Sequence, residues 1–272
     1  MHAGGRSPDY HAPVVRTMPE HLAAVATALA AAIVVIAIAI LPFLTPAWVS
    51  FEQGRTGAAA LTGYTPAQLS AATSSILHDL VIGPPDFAVT VDGAPVLEER
   101  ERAHMRDVRG VFAGFGLVAI VSAVGLAALI AGARRMGHPE RAWAAIAAGM
   151  RGLIVAVVVA GIVAAVAFDQ AFELFHRLFF PSGTYLFDPR TDHLVQLFPF
   201  DFWSETTIVL GALIVVIAAV VAVIAGRRAR SGEQATAAIA ATTADGRATN
   251  ASGHAGRPEA VAPDPAGSAP AR

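Results

Sequence analysis

The sequence predicts an all-α integral membrane protein, four transmembrane helices bearing a small extracellular α/β cap. The first observation behind this is composition. The 272-residue chain is 55% hydrophobic and 15% charged, with a mean hydropathy of +0.56, far more apolar than a soluble domain. The second is four uncharged runs near the length of about 20 helical residues that crosses a hydrocarbon core. The third is the arginine clusters at the ends of those runs, which favour a cytoplasmic side for both chain ends.

Residues 1–21 read as a polar cytoplasmic leader, followed by the first span over 22–44. Its apolar region is too long for a secretory signal, and Pro42–Ala47 offers no small-x-small cleavage site, so it is read as an uncleaved anchor. Residues 45–109 form an outer segment with structure of its own. Thr65-Pro66-Ala67-Gln68 predicts a capped helix start, with Thr65 as N-cap, Pro66 at N1 and Gln68 closing the box. That helix runs to about Val81, ahead of Gly83-Pro84-Pro85. The alternation of Phe87-Ala88-Val89-Thr90-Val91 before Asp92-Gly93 predicts a strand and a hairpin turn. From about Glu98 a helix continues unbroken into the second span, 110–133.

A short cytoplasmic loop, 134–142, carries Arg134, Arg135 and Arg141. The third span covers 143–168, and its helix is expected to run on into the second outer segment, 169–205, because Phe168, Phe172, Phe175 and Phe179 recur at helical spacing. Asp188-Pro189-Arg190-Thr191-Asp192 is turn chemistry. Phe198, Phe200, Phe202 and Trp203 then form an interfacial aromatic cluster before the fourth span, 206–226. Residues 227–272, rich in Ala, Gly, Pro, Ser and Thr, read as a disordered cytoplasmic tail. The chain contains no cysteine, which excludes disulfides, thiolate ligands and a cysteine acyl-enzyme. A net charge of −2 gives no reason to expect a nucleic-acid partner.

Two histidines stand out. His104 lies six residues before Gly110, roughly 9 Å along a helix. His176 lies eight residues beyond Phe168, about 12 Å on the same scale. Both therefore fall near the outer headgroup level of consecutive antiparallel helices, which predicts one composite site. Glu101, His104 and Asp107 share one helical face, and Asp169, Glu173 and His176 another. A carboxylate beside an imidazole raises its basicity and fixes its tautomer, equipment for general acid–base chemistry. Arg106 and Arg109 are candidates for stabilising an oxyanion or binding a headgroup. His78 and His193 are isolated and read as surface residues.

The stretches His104-Met105-Arg106-Asp107-Val108-Arg109, Phe175-His176-Arg177-Leu178-Phe179-Phe180 and Leu186-Phe187-Asp188-Pro189-Arg190-Thr191-Asp192-His193-Leu194-Val195-Gln196-Leu197-Phe198-Pro199 resemble signature blocks of the lipoprotein intramolecular transacylase family. With the four-span layout, the resemblance covers about residues 20–226. It implies an acyltransferase that moves the sn-2 acyl chain of a lipoprotein's diacylglyceryl group to the α-amine of its lipidated N-terminal cysteine, forming a lyso-form lipoprotein. His104 and His176 match the family's functional histidines, and Asp188 and Asp192 fall in the third block as supporting residues. Tyr185 stands where close members carry tryptophan. The resemblance implies diacylglyceryl lipoproteins and membrane lipid as partners, no cofactor or metal, and an active site facing outside. In this scheme one histidine is the base and the other the acid; His104 is assigned the base role and His176 the acid role, an order that the sequence does not fix. A metal-dependent membrane hydrolase and a non-enzymatic lipid- or lipoprotein-binding scaffold are the alternatives.

Overall fold

The structure, a computed structural model, describes residues 19–180 and 183–255. Four helices are long and apolar enough to cross a membrane, over Glu20–Leu44, Glu99–Arg135, Pro139–Val166 and Phe200–Thr243. In chain order the elements begin with α1 (Glu20–Ile40) and a 3-10 turn over Leu41–Leu44. Then come α2 (Pro46–Arg55), α3 (Ala58–Thr62), α4 (Pro66–Val81), β1 (Thr90–Val91) and β2 (Ala94–Pro95). The rest are α5 (Glu99–Arg135), α6 (Pro139–Val166), α7 (Phe168–Phe179), α8 (His193–Leu197) and α9 (Phe200–Ala255).

The long helices bury a core of small and branched side chains, among them Ala31 and Val35 of α1, Ile146 and Met150 of α6, and Ile214 and Ala218 of α9. A Cβ on Gly149 would lie 2.8 Å from the Ala28 Cα, so α1 and α6 approach at backbone distance. Such small-residue contacts replace the hydrophobic drive that lipid does not supply. Leu117, Ile120, Val121 and Val124 of α5 are exposed, as expected for a face turned to acyl chains.

Both segments that flank the spans fold into one cap with one core. Val49, Leu69, Ile76, Phe87 and Val96 from the first pack with Leu194, Leu197 and Phe202 from the second. Gln53, fully buried, joins them by polar contact, donating to the Leu197 carbonyl at 3.0 Å and accepting from the Thr73 hydroxyl at 3.0 Å. The Thr65–Gln68 capping box forms, and α4 ends at Val81 as its sequence predicts. β1 and β2 pair antiparallel, Thr90 with Pro95 and Val91 with Ala94. The turn uses Asp92 (φ 51°) and Gly93 (φ 82°), the two positive values that a type I′ hairpin requires.

Four expectations need correction. The strand is shorter than 87–91, because Phe87 takes a left-handed φ of 51° that turns its ring fully into the cap core. The third helix does not run on unbroken. It stops at Val166, Ala167 leaves the helical region at φ −148°, ψ 46°, and α7 begins afresh. Helix α6 is apolar around its outer half, whereas α7 carries phenylalanines on one face and Asp169, Glu173 and Arg177 on the other, so the two suit different surroundings. The fourth helix starts at Phe200, earlier than 206. Finally, residues 227–255 are helical, a continuation of α9. Alanine is the strongest helix former, and the continuation meets the start of α6, where a Cβ on Gly232 would lie 2.8 Å from the Glu140 Cβ. Residues 256–272 of the expected tail, and most of the leader, lie outside the described residues.

Candidate active site

The capped start of α5 and the whole of α7 bring the two histidines together. Glu98 caps α5 and forms a reciprocal box with Glu101, which holds the first turns rigid beneath His104. The His104 and His176 rings lie with centroids 6.0 Å apart and planes 21° from parallel. Both residues are buried, with 5% and 9% of their surface exposed.

The surroundings are aromatic. Phe180 sits 4.7 Å from the His104 ring and 5.3 Å from that of His176. Phe187 covers His104 edge-on at 5.4 Å. Phe172 and Tyr185 flank His176 at 4.1 and 5.2 Å. Helical spacing does not mark Phe180, Tyr185 or Phe187; the sequence clues to them are the density of aromatics across 168–187 and the family-like blocks in and beside which they fall.

Hydrogen bonding settles one tautomer. His176 Nδ1 lies 2.8 Å from the Phe172 carbonyl oxygen. A carbonyl can only accept, so Nδ1 carries the proton and Nε2 is left with its lone pair. Burial pushes the His176 imidazole below its ordinary pKa, and the Phe172 carbonyl offsets this in part. His104 Nδ1 is buried with no hydrogen-bond partner among the described residues.

Among the described residues none of the expected carboxylates hydrogen-bonds to either ring. Glu101, fully buried, turns away from His104 to accept from the Leu194 amide at 2.6 Å and the Glu98 amide at 2.7 Å. Asp107 is exposed on α5, and Glu173 pairs with Arg177 at 3.8 Å. Arg106 is held by Glu99 at 2.7 Å. Arg109 donates to the Asp79 and Gly83 carbonyls, which ties α5 to the end of α4. Asp188 is clasped by its neighbour Arg190, whose guanidinium holds the carboxyl down to about 2. Asp192 accepts from Arg100 at 2.6 Å and from the Asp188 amide at 2.7 Å. Hence the structure gathers the two histidines and an aromatic wall, while most of the expected polar support serves the cap. His78 contacts Asp79, and His193 stacks on Tyr64 at 5.7 Å, both away from the pair. Among the described residues no three His, Asp or Glu side chains gather as a metal-ligand set.

Comparison with known proteins agrees with this architecture. The profile of the family described as Lipoprotein intramolecular transacylase Lit matches residues 23–203. No curated protein matches the sequence. Among solved structures, the in meso structure of the membrane integral lipoprotein intramolecular transacylase Lit from Bacillus cereus superposes with a TM-score of 0.63 at 16% identity, over 80% of this chain and 97% of that one. A variant of the same protein with a histidine replaced by arginine gives 0.61 at 16% identity, over 80% and 93%. Another with that histidine replaced by alanine gives 0.63 at 17%, over 79% and 95%. At these identities the likeness is one of fold. The chain belongs to the lipoprotein intramolecular transacylase family and is a multi-pass membrane protein.

Proposed function

We propose that this family member moves the sn-2 acyl chain of a diacylglyceryl lipoprotein to the α-amine of its N-terminal cysteine, at the outer face of the membrane. The observation that carries this reading is the stacked, buried His104–His176 pair at 6.0 Å. Amine attack on an ester needs a base for the amine proton and an acid for the departing glycerol oxygen. Donor and acceptor belong to one substrate molecule, so positioning supplies much of the rate and no enzyme nucleophile is required.

The hydrogen bonding favours His176, rather than His104, as the base. His176, with Nδ1–H spent on the Phe172 carbonyl, offers Nε2 as the base. His104, with Nδ1 unpartnered in an apolar wall, does best with its proton on Nε2, since an orphaned buried N–H is the rarer arrangement. Nitrogen of the amine bonds to the ester carbonyl carbon as His176 takes its proton. The oxyanion then collapses, the bond to the sn-2 oxygen breaks, and the His176 imidazolium passes the amine's proton to that oxygen while the His104 N–H serves as a hydrogen-bond donor. Both rings end in the tautomers in which they began, and the reaction consumes no proton overall. Arg106 and Arg109 are committed to Glu99 and to the Asp79 and Gly83 carbonyls. Stabilisation of the oxyanion therefore falls first to the His104 N–H.

Expression in a bacterium lacking such an enzyme tests the reading. Mass spectrometry of an abundant lipoprotein's N-terminus is expected to show the lyso form, absent with empty vector. Unchanged diacylglyceryl forms despite membrane expression would refute it. Orientation is tested in the same cells, because a chain without cysteine permits single-cysteine variants on a clean background. Ser74→Cys in the cap is expected to react with an impermeant maleimide from outside, and Ser231→Cys on α9 is not. The opposite pattern inverts the topology.

The pH behaviour follows from the base. Burial lowers the His176 pKa, so its ring is expected to titrate by NMR below the ordinary value of about 6.5. His176 is then already neutral at pH 7. Activity should rise between about pH 7 and 8, where the substrate's α-amine, ordinarily near 7.7–8.0, loses its proton. A His176 midpoint above the ordinary value would remove the case for a base held neutral by burial.

A further inference from the structure

The segment between Leu186 and Leu194 is pinned to the first turns of α5 by a set of contacts that the acid–base chemistry does not use. Arg100 donates to Asp192 at 2.6 Å and to the Leu186 carbonyl at 3.0 Å. The same Asp192 oxygen accepts from the Asp188 amide at 2.7 Å, closing the loop on itself. Asp192 is 5% exposed, so its carboxylate is largely withdrawn from water and matched by Arg100 from the neighbouring element. Between the two anchored ends lies Phe187. The Arg100 guanidinium sits 5.0 Å from one side of its ring, and the His104 ring meets it edge-on at 5.4 Å.

A phenylalanine on a surface loop loses conformational entropy when it is held in one place, and nothing in a loop of turn residues would hold it unaided. Arg100 does so twice over, by fixing the backbone on either side of Phe187 and by stacking on its face. The neighbouring residue Glu101 clamps the far end of the segment through the Leu194 amide. His104 has an unpartnered Nδ1 and so no hydrogen bond from that nitrogen to fix its ring. Its orientation is set by the rings that pack on it, and Phe187 is one of the two phenylalanines in that shell.

We propose that Arg100 and Asp192 are positioning residues that act through Phe187, latching the 186–194 segment over His104 so that its ring stays dry and aligned with His176. The latch is a geometric claim about the protein. Its kinetic consequence rests on the transacylase reading above, since it is the reactive alignment of His104 that the latch serves.

Two readouts on full-length protein in detergent micelles separate these claims. The first is the rate at which diethyl pyrocarbonate modifies each histidine, followed residue by residue by mass spectrometry. In the wild type His104 is expected to react slowly and the exposed His78 quickly. Arg100→Gln, Asp192→Asn and Phe187→Leu should each accelerate modification of His104 several-fold with His78 unchanged. The double variant Arg100→Gln/Phe187→Leu should be no faster than Phe187→Leu, because both remove the same cover. The second readout is turnover of a synthetic diacylglyceryl lipopeptide. A small misplacement of a catalytic group costs about 100-fold, and here it should fall on kcat with KM little changed. A merely structural role would lower the melting temperature and the yield of active protein without that split. Arg100→Lys, which keeps the charge but loses the flat contact and the fork, should lie between wild type and Arg100→Gln in both readouts. If Arg100→Gln and Asp192→Asn fold poorly, Phe187→Leu and Arg100→Lys carry the test alone. An unchanged His104 modification rate in folded variants overturns the latch. A wild type that forms no lyso product, with the modification pattern as expected, overturns the transacylase reading and leaves the latch standing.

Discussion

Replacing His104 or His176 by alanine is expected to lower lyso-form production roughly 10²- to 10⁴-fold, the usual contribution of a positioned acid or base, with normal levels of membrane-inserted protein. The size of the effect follows from the two rings acting as one unit. They stack at 6.0 Å inside a shared aromatic shell, and proton transfer through His176 goes forward only while the His104 N–H holds the developing oxyanion. Groups that act as a unit are non-additive, so the double variant should be little worse than either single one. Two controls bracket the result. His78→Ala removes an exposed ring beside Asp79 and should keep most activity. His193→Ala removes the ring stacked on Tyr64 and reports general damage to the cap. Because His104 is buried among phenylalanines, His104→Asn offers a less disruptive version of the same loss. Substantial activity in both alanine variants would end the two-histidine mechanism, whatever the fold.

How much of this was legible in the sequence depends on how local the determining interactions are. The Thr65–Gln68 box, the Asp92-Gly93 turn and the helix entering the second span at Glu99 are each decided within a few residues, and each forms where its pattern predicts. The break at Ala167 carries no glycine or proline to announce it. It arises because an all-round apolar helix and a two-faced one need different surroundings, and the boundary between those surroundings is not a property of residue 167. The helical continuation of α9 past Arg227 was hidden by reading alanine-rich composition as absence of a core, when alanine needs no core to favour a helix. The histidines were visible because two ionisable residues at matched heights are unusual in so apolar a chain. Their partners were not, because the contacts are long-range. Glu101 shares a helical face with His104 three residues away, yet it bonds to the amide of Leu194, 93 residues along the chain.

That same contact yields the second large expected effect. Glu101→Ala is expected to destabilise the cap by roughly 3–6 kcal/mol, from two hydrogen bonds to a charged group at about 1.5–3 kcal/mol each. The carboxylate is fully buried and accepts from the Glu98 amide at 2.7 Å and the Leu194 amide at 2.6 Å. Removing it strands both donors. The first completes the N-terminal cap of α5, and the second holds α8 against that helix, so one side chain joins the two cap segments on either side of His104. A hydrophobic replacement of similar volume does not rescue the loss. Burying a charge is costly and its removal can be neutral, but Glu101→Leu still leaves two backbone N–H groups facing an apolar side chain. Glu101→Gln keeps one carbonyl oxygen as an acceptor and should recover about half of the stability lost in Glu101→Ala. Folded stability is marginal, about 5–15 kcal/mol for native proteins, so the alanine variant should show a large fall in unfolding midpoint. Protease cleavage within 186–200 should also appear under conditions where the wild type resists. If Glu101→Ala unfolds at the wild-type midpoint and its 186–200 segment stays protected, α8 is held by the apolar contacts of Leu194 and Leu197 with the Gln53–Leu197 hydrogen bond, and the Glu101 carboxylate does not join the two halves of the cap.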